Sequence, residues 1–304
     1  MSLLNLFPSI RLIVYAALFV FLCNIVILIT QWIGWLLHGE VLLFTSNRDG
    51  DDDIYLLDLR RGLTVRLLNT DVDEGALRWS PDGTRIVYTA PYHTMQIRVL
   101  NLQDSSELEV SVPSGDNMLP VWSPDGTQIA FSSGRSRAGF LSITIVDAET
   151  GEVGRRLSMP SAEDRVSAWH GDQLLYSAIA DGTWAIFRMN EDGTDRRVVV
   201  NLVGGDFGAV WSPDGTQIAF TSFTDTVNQV YIMDADGSSA RQLTYNMGGS
   251  AFPVWSPDGQ RILYTVSIDF RTRELYIMDA DGQNHRRLTY NDDDDVGFGW
   301  MPYE

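Results

Sequence analysis

Trp211-Ser212-Pro213-Asp214-Gly215-Thr216-Gln217-Ile218-Ala219-Phe220 is the stretch that decides the fold. Proline presets φ at the second position of a tight turn, and glycine tolerates the left-handed backbone at its end. A strand ending at the tryptophan is therefore followed at once by another beginning near Ile218. Working outward, Trp-Ser-Pro-Asp-Gly also begins at Trp79, Trp122 and Trp255, each time followed by an apolar strand such as Ile129-Ala130-Phe131 or Ile262-Leu263-Tyr264. A degenerate copy stands at Trp169-His170-Gly171-Asp172, and a sixth tryptophan, Trp300, precedes Met301-Pro302. Successive tryptophans are 43, 47, 42, 44 and 45 residues apart. A period in the low-to-mid forties with four short strands per unit defines the blade of a β-propeller.

Within each unit a third strand (Gln229-Val230-Tyr231-Ile232-Met233) ends in a hairpin turn, Asp234-Ala235-Asp236-Gly237. A polar fourth strand (Arg241-Gln242-Leu243-Thr244) has the character of an exposed outer edge. Second strands begin at Val41, Ile86, Ile129, Leu174, Ile218 and Ile262. The first unit lacks its own first strand, and the last first strand, Gly297-Phe298-Gly299-Trp300, lacks a second. The two halves are expected to complete one blade, closing an all-β ring of six blades.

Before the repeats, Leu12 to Leu37 runs 26 residues without a charge and ends near Trp32 and Trp35. That length spans a bilayer, and tryptophans near one end fit the interfacial belt. The stretch is about twice the length of a signal-peptide core and no small-residue cleavage site follows it, so an uncleaved anchor is expected. The bulky Val20-Phe21-Leu22 before Cys23 does not make a lipobox. Arg11 on one side and the acids from Glu40 to Asp53 on the other imply, by the positive-inside rule, a cytoplasmic segment 1–11, a transmembrane helix 12–37 and an extracytoplasmic propeller 38–304 on the bacterial inner membrane.

Composition excludes several function classes. All 22 basic residues are arginine and 40 carboxylates bring the net charge to −18, so a Schiff-base or P-loop lysine is absent and a nucleic-acid partner is disfavoured. One cysteine allows no internal disulfide, and His38, His93, His170 and His285 have no ligand spacing.

The Trp-Ser-Pro-Asp-Gly units, with Tyr-Ile-Met-Asp-Ala-Asp-Gly and Arg-Arg-Leu-Thr in order, resemble the repeats of TolB-type six-bladed propellers over residues 41–302. The resemblance implies an extracytoplasmic interaction scaffold; TolB itself belongs to the bacterial Tol–Pal envelope system. TolB carries a separate α/β domain before its propeller and is soluble, whereas here the repeats follow an apolar segment directly, so a membrane-tethered relative is expected. Peptidases with similar propellers need an α/β-hydrolase domain; the nearest approach to a nucleophile elbow, Gly134-Arg135-Ser136-Arg137-Ala138, lacks its final glycine. Propeller lyases that bind metal through clustered histidines also resemble these repeats, without the scattered histidines here matching.

Candidate binding residues lie five before each tryptophan: Glu74, Asn117, Asp164, Asp206, Ser250 and Asp295. Equivalent positions beginning innermost strands are expected to ring one mouth of the channel. Converging Glu74, Asp164, Asp206 and Asp295 would repel, a strain that Ca²⁺ or a basic peptide relieves; the alternative is ordinary turn chemistry, which these residue types favour. Asp49, Asp51, Asp52 and Asp53 with Asp292, Asp293 and Asp294 are expected on the same face as a second acidic patch, or as a solvated charge run. The tryptophans read as packing between blades, and the Asp-Ala-Asp-Gly segments as hairpin turns. The overall expectation is a membrane-tethered binding scaffold for an extracytoplasmic protein or ligand, without catalysis. The alternatives are a hydrolase or lyase with carboxylates in the channel, or an accessory or sensor subunit of an envelope complex.

Overall fold

The computed structural model describes residues 40–302, apart from 114, 136–139, 158–162, 203, 225 and 270–271. The apolar segment expected to cross the membrane lies outside the described residues, as does most of the Gly134–Ala138 segment. Among the described residues no helix is long and apolar enough to cross a membrane.

Among the described residues twenty-four strands follow one another in chain order. Blade 1 takes β1 (Val41–Ser46), β2 (Asp53–Asp58) and β3 (Leu63–Leu68). Blade 2 is β4 (Gly75–Trp79), β5 (Arg85–Pro91), β6 (Met95–Asn101) and β7 (Glu107–Glu109). Blade 3 is β8 (Asp116–Trp122), β9 (Gln128–Arg135), β10 (Phe140–Asp147) and β11 (Val153–Arg156). Blade 4 is β12 (Arg165–His170), β13 (Gln173–Ala180), β14 (Thr183–Asn190) and β15 (Arg197–Val200). Blade 5 is β16 (Asp206–Trp211), β17 (Gln217–Thr224), β18 (Val227–Asp234) and β19 (Arg241–Gln242). Blade 6 is β20 (Ser250–Trp255), β21 (Arg261–Asp269), β22 (Thr272–Asp279) and β23 (Arg286–Arg287). The last strand, β24 (Asp295–Trp300), pairs antiparallel with β1 and completes blade 1 in the order β24-β1-β2-β3. Six four-stranded antiparallel sheets result, closed as the half-blades at the two ends of the repeats require.

The repeated pentapeptide acts through its side chains. In blade 3 the Ser123 hydroxyl accepts the Gln128 N–H at 2.9 Å and donates to Asp125 at 2.6 Å, while Asp125 also accepts the Thr127 N–H at 3.0 Å. Gly126, at φ 71°, occupies the left-handed position that glycine reaches without strain. Hydrogen bonds from Ser123 and then Thr127 hold the Asp125 carboxyl below its ordinary range, and Ser212 and Thr216 do the same for Asp214.

Hydrophobic cores form between blades rather than inside them. Val87, Ile97 and Val99 of blade 2 pack with Trp122, Ile129 and Phe131 of blade 3, and Leu42 and Phe44 of blade 1 with Leu263 and Leu275 of blade 6. Trp79, Trp122, Trp255 and Trp300 are buried in these seams, as the once-per-repeat spacing indicates.

Innermost strands run from an upper face, which carries the β5–β6-type hairpins and the loops between blades, to a lower face, which carries the Ser-Pro-Asp-Gly turns. The chain enters β1 at the lower face, where the Glu40 carboxylate pairs with Arg261 at 2.9 Å.

Candidate functional site

All six innermost strands are bulged. In blade 2, Arg78 pairs with Val87 but Gly75 pairs with Thr89, so three steps on β4 match two on β5. The same single-residue excess falls between Met118 and Val121, Val166 and Ala168, Phe207 and Val210, and Ala251 and Val254, and opposite Leu43 and Phe44. A bulge re-aims side chains and often does so beside functional sites. Here it holds Ala76, Leu119 and Phe252 at φ 48°, 57° and 57°, a left-handed backbone that costs a non-glycine residue about 1 kcal/mol.

These bulges line a central cavity of about 390 Å³ opening toward the upper face. Its wall is apolar and aromatic, with Leu119, Trp184, Phe207, Phe252, Val254 and Phe298, and its two charged lining residues are Arg78 and Arg165. Phe207 and Phe252 meet edge to face at 6.3 Å between ring centres. Arg165 stacks over Trp184 at 4.4 Å and pairs with Glu163 at 2.6 Å. Below it a second cavity of about 370 Å³ is lined by the Trp-Ser-Pro segments of the lower face, and Arg78 lines both. The Arg78 guanidinium donates to its neighbour's carbonyl, Leu77 O, at 2.8 Å, and burial pushes its pKa down to about 10.

Because Phe252 is 40% exposed and held in the left-handed region, glycine there should relieve strain nearly equal to the packing that is lost. Phe252→Gly is expected to melt within about 1 kcal/mol of the parent; a larger loss of stability in thermal melting would show that the contact with Phe207 dominates.

The six residues chosen from sequence do begin the innermost strands or immediately precede them, but their side chains do not ring the channel mouth. Glu74, Asn117, Asp164, Asp206, Ser250 and Asp295 are at most 2% exposed. Most tie down the loop just upstream. Glu74 accepts from the Thr70 hydroxyl, Asp206 from the Leu202 N–H at 2.6 Å, and Ser250 from the Asn246 amide at 2.7 Å. Asp295 accepts from Asn291 at 2.9 Å and pairs with Arg48 at 3.1 Å. Asn117 donates to Val112 O and Gly115 O, and Asp164 pairs with Arg196 at 2.5 Å. The bulge explains the difference. One extra residue reverses the alternation, so the fifth residue before a tryptophan shares the tryptophan's side of the sheet instead of the side of Arg78.

Burial raises the pKa of Glu74 to about 7 and raises that of Asp206 as well. Among the described residues no three His, Cys, Asp or Glu side chains form a group able to hold a metal ion. The second acidic patch is interleaved with arginines: Asp53 and Asp49 pair with Arg66, and Asp294 with Arg273. Asp52 remains under strain, its pKa raised by burial and then by Asp73 and Asp294.

A bulged six-bladed ring around an aromatic channel defines the chain as a six-bladed β-propeller. Its sequence matches the TolB beta propeller domain over residues 34–194 and 193–304, and the chain belongs to that family. Among curated proteins none matches. The fold is similar to TolB from Acinetobacter baumannii (20% identity, TM-score 0.76, covering 87% of this chain and 67% of that one). It is also similar to a putative TolB from Agrobacterium tumefaciens (23%, TM-score 0.70, 85% and 90%). An oligogalacturonate lyase from Vibrio parahaemolyticus shares the architecture more distantly (17%, TM-score 0.58, 84% and 76%).

Proposed function

We propose that the chain is a membrane-tethered, extracytoplasmic scaffold that docks a partner protein on the upper face of its propeller, with no chemistry of its own. The observation that carries this reading is where the apolar surface lies. Of twelve large apolar residues left exposed among the described residues, nine lie on the upper face, led by Met247 (97% exposed), Tyr245 (76%) and Tyr290 (74%). Apolar surface concentrated on one face and centred on a pocket is characteristic of interaction sites. The tether supports the same geometry: only a few residues, at most ~18 Å of extended chain, separate Trp35 from β1, whose start is at the lower face. That face then lies against the bilayer and the upper face is presented to a partner.

A photo-crosslinking residue at Met247 is expected to capture a discrete partner in the native cell, whereas one at Gln260, on a lower-face turn, is not. Equal capture from both positions, or none from Met247, would remove the assignment of the upper face. For the tether, a reporter active only outside the cytoplasm should work when fused after Glu304; activity of a cytoplasm-only reporter there would reverse the orientation.

A further inference from the structure

Forty carboxylates are distributed over this chain, yet among the described residues none lines the central cavity. In a protein of net charge −18 the channel wall is apolar and carries arginine instead. The two arginines differ. Arg165, near the upper mouth, is neutralised by Glu163 and lies on Trp184. Arg78, placed where the upper and lower cavities meet, has no carboxylate within ion-pairing distance among the described residues, and its guanidinium donates to the Leu77 carbonyl. A guanidinium has five donors in a planar fork suited to a carboxylate. A cation among apolar walls without a counter-ion is costly, and the depressed Arg78 pKa has that physical origin, burial with no opposing charge. It still leaves the group charged at neutral pH.

We propose that the central channel binds a small organic monoanion with a flat apolar body, its carboxylate seated on Arg78 and its body against Trp184, Phe207, Phe252 and Phe298. The cavity, about 390 Å³, falls in the range of small-molecule sites. Aromatic walls favour an aromatic body through offset and edge-to-face contacts. The anion would be drawn to Arg78 against the field of the whole protein, so the apolar body supplies much of the affinity and the guanidinium the selectivity. This inference does not depend on the docking of a partner protein: it rests on the channel wall, and its test uses no partner.

The probes are 2-naphthoate and its neutral isostere 2-naphthamide, titrated calorimetrically into the full-length chain in lipid nanodiscs with empty discs as the blank. Naphthoate is expected to bind at least tenfold more tightly than the amide. Arg78→Gln should abolish that preference, whereas Phe252→Ala should weaken both probes by a similar factor and so place them in the upper cavity. Equal affinity of the two probes for the parent, or absence of naphthoate binding at millimolar concentration, overturns the proposal whether or not Arg78→Gln folds. A preference that survives in a folded Arg78→Gln variant also overturns it.

Discussion

Deletion of residues 295–304 is expected to abolish cooperative folding of the propeller. The deletion removes β24, the strand that completes blade 1, and exposes the edge of β1 from Leu42 to Ser46. Trp300, 6% exposed, leaves the seam shared with Leu263 and Leu275, and Val296, also buried, is lost with it. Loss of one buried tryptophan side chain costs roughly 3–5 kcal/mol, set against a total stability of about 5–15 kcal/mol for a domain. Asp295 also takes with it the ion pair to Arg48. The variant should lose its near-ultraviolet circular dichroism, digest rapidly with protease and aggregate through the open edge. A truncated protein with the parent's melting temperature would mean that β24 is dispensable and that the ring is closed by other contacts.

Mild acidification is expected to stabilise the protein, and Glu74 should account for much of the gain. Its folded pKa, raised chiefly by burial to about 7 from an ordinary 4.5, means that the native state binds the proton more tightly than the unfolded chain. The stabilisation from that proton is complete below the unfolded pKa and is lost as pH rises through the folded one, so stability falls between about pH 4.5 and 7. At about 1.4 kcal/mol per pH unit the window amounts to on the order of 3 kcal/mol. Asp53 and Asp206, both raised by burial, act in the same direction. Glu74→Gln, which keeps an acceptor for Thr70, should melt higher than the parent at pH 8 and equal to it near pH 4.5. A variant less stable than the parent at pH 8 would show that the carboxylate is ionised and held by Thr70.

The blades were legible because their chemistry is local. Ser, Pro, Asp and Gly in fixed order dictate one turn, and each recurrence of Trp79, Trp122, Trp211 or Trp255 marks the end of an innermost strand. Closure was legible too, since an orphan first strand at Trp300 and an orphan second strand at Val41 leave only one pairing. The channel was not. Its wall is built by Ala76, Leu119, Gly208 and Phe252, positions that share a backbone conformation and no side-chain type. No motif marks them, and the extra residue in each strand reverses the alternation from which inward-facing residues are counted. That is why counting five back from each tryptophan finds residues that fasten loops and does not reach Arg78, one before Trp79. The left-handed backbone at Leu119 and Phe252 would have been the signal, and apolar side chains conceal it.

The pairing of β1 with β24 has a consequence for the life of the chain before it is complete. Roughly 250 residues separate Ser46 from its partner Asp295, and at ~5–20 residues per second a ribosome takes about 12–50 s to cover that distance. Blades 2 to 6 are made of neighbouring segments and gain their hairpins as they emerge. Blade 1, first to appear, waits through all of that time as three strands with an open inner edge, and contacts so distant in sequence form slowly. The first blade synthesised is therefore the last to be finished. Any factor that guards this protein during synthesis has its natural target in the exposed backbone of Val41–Ser46.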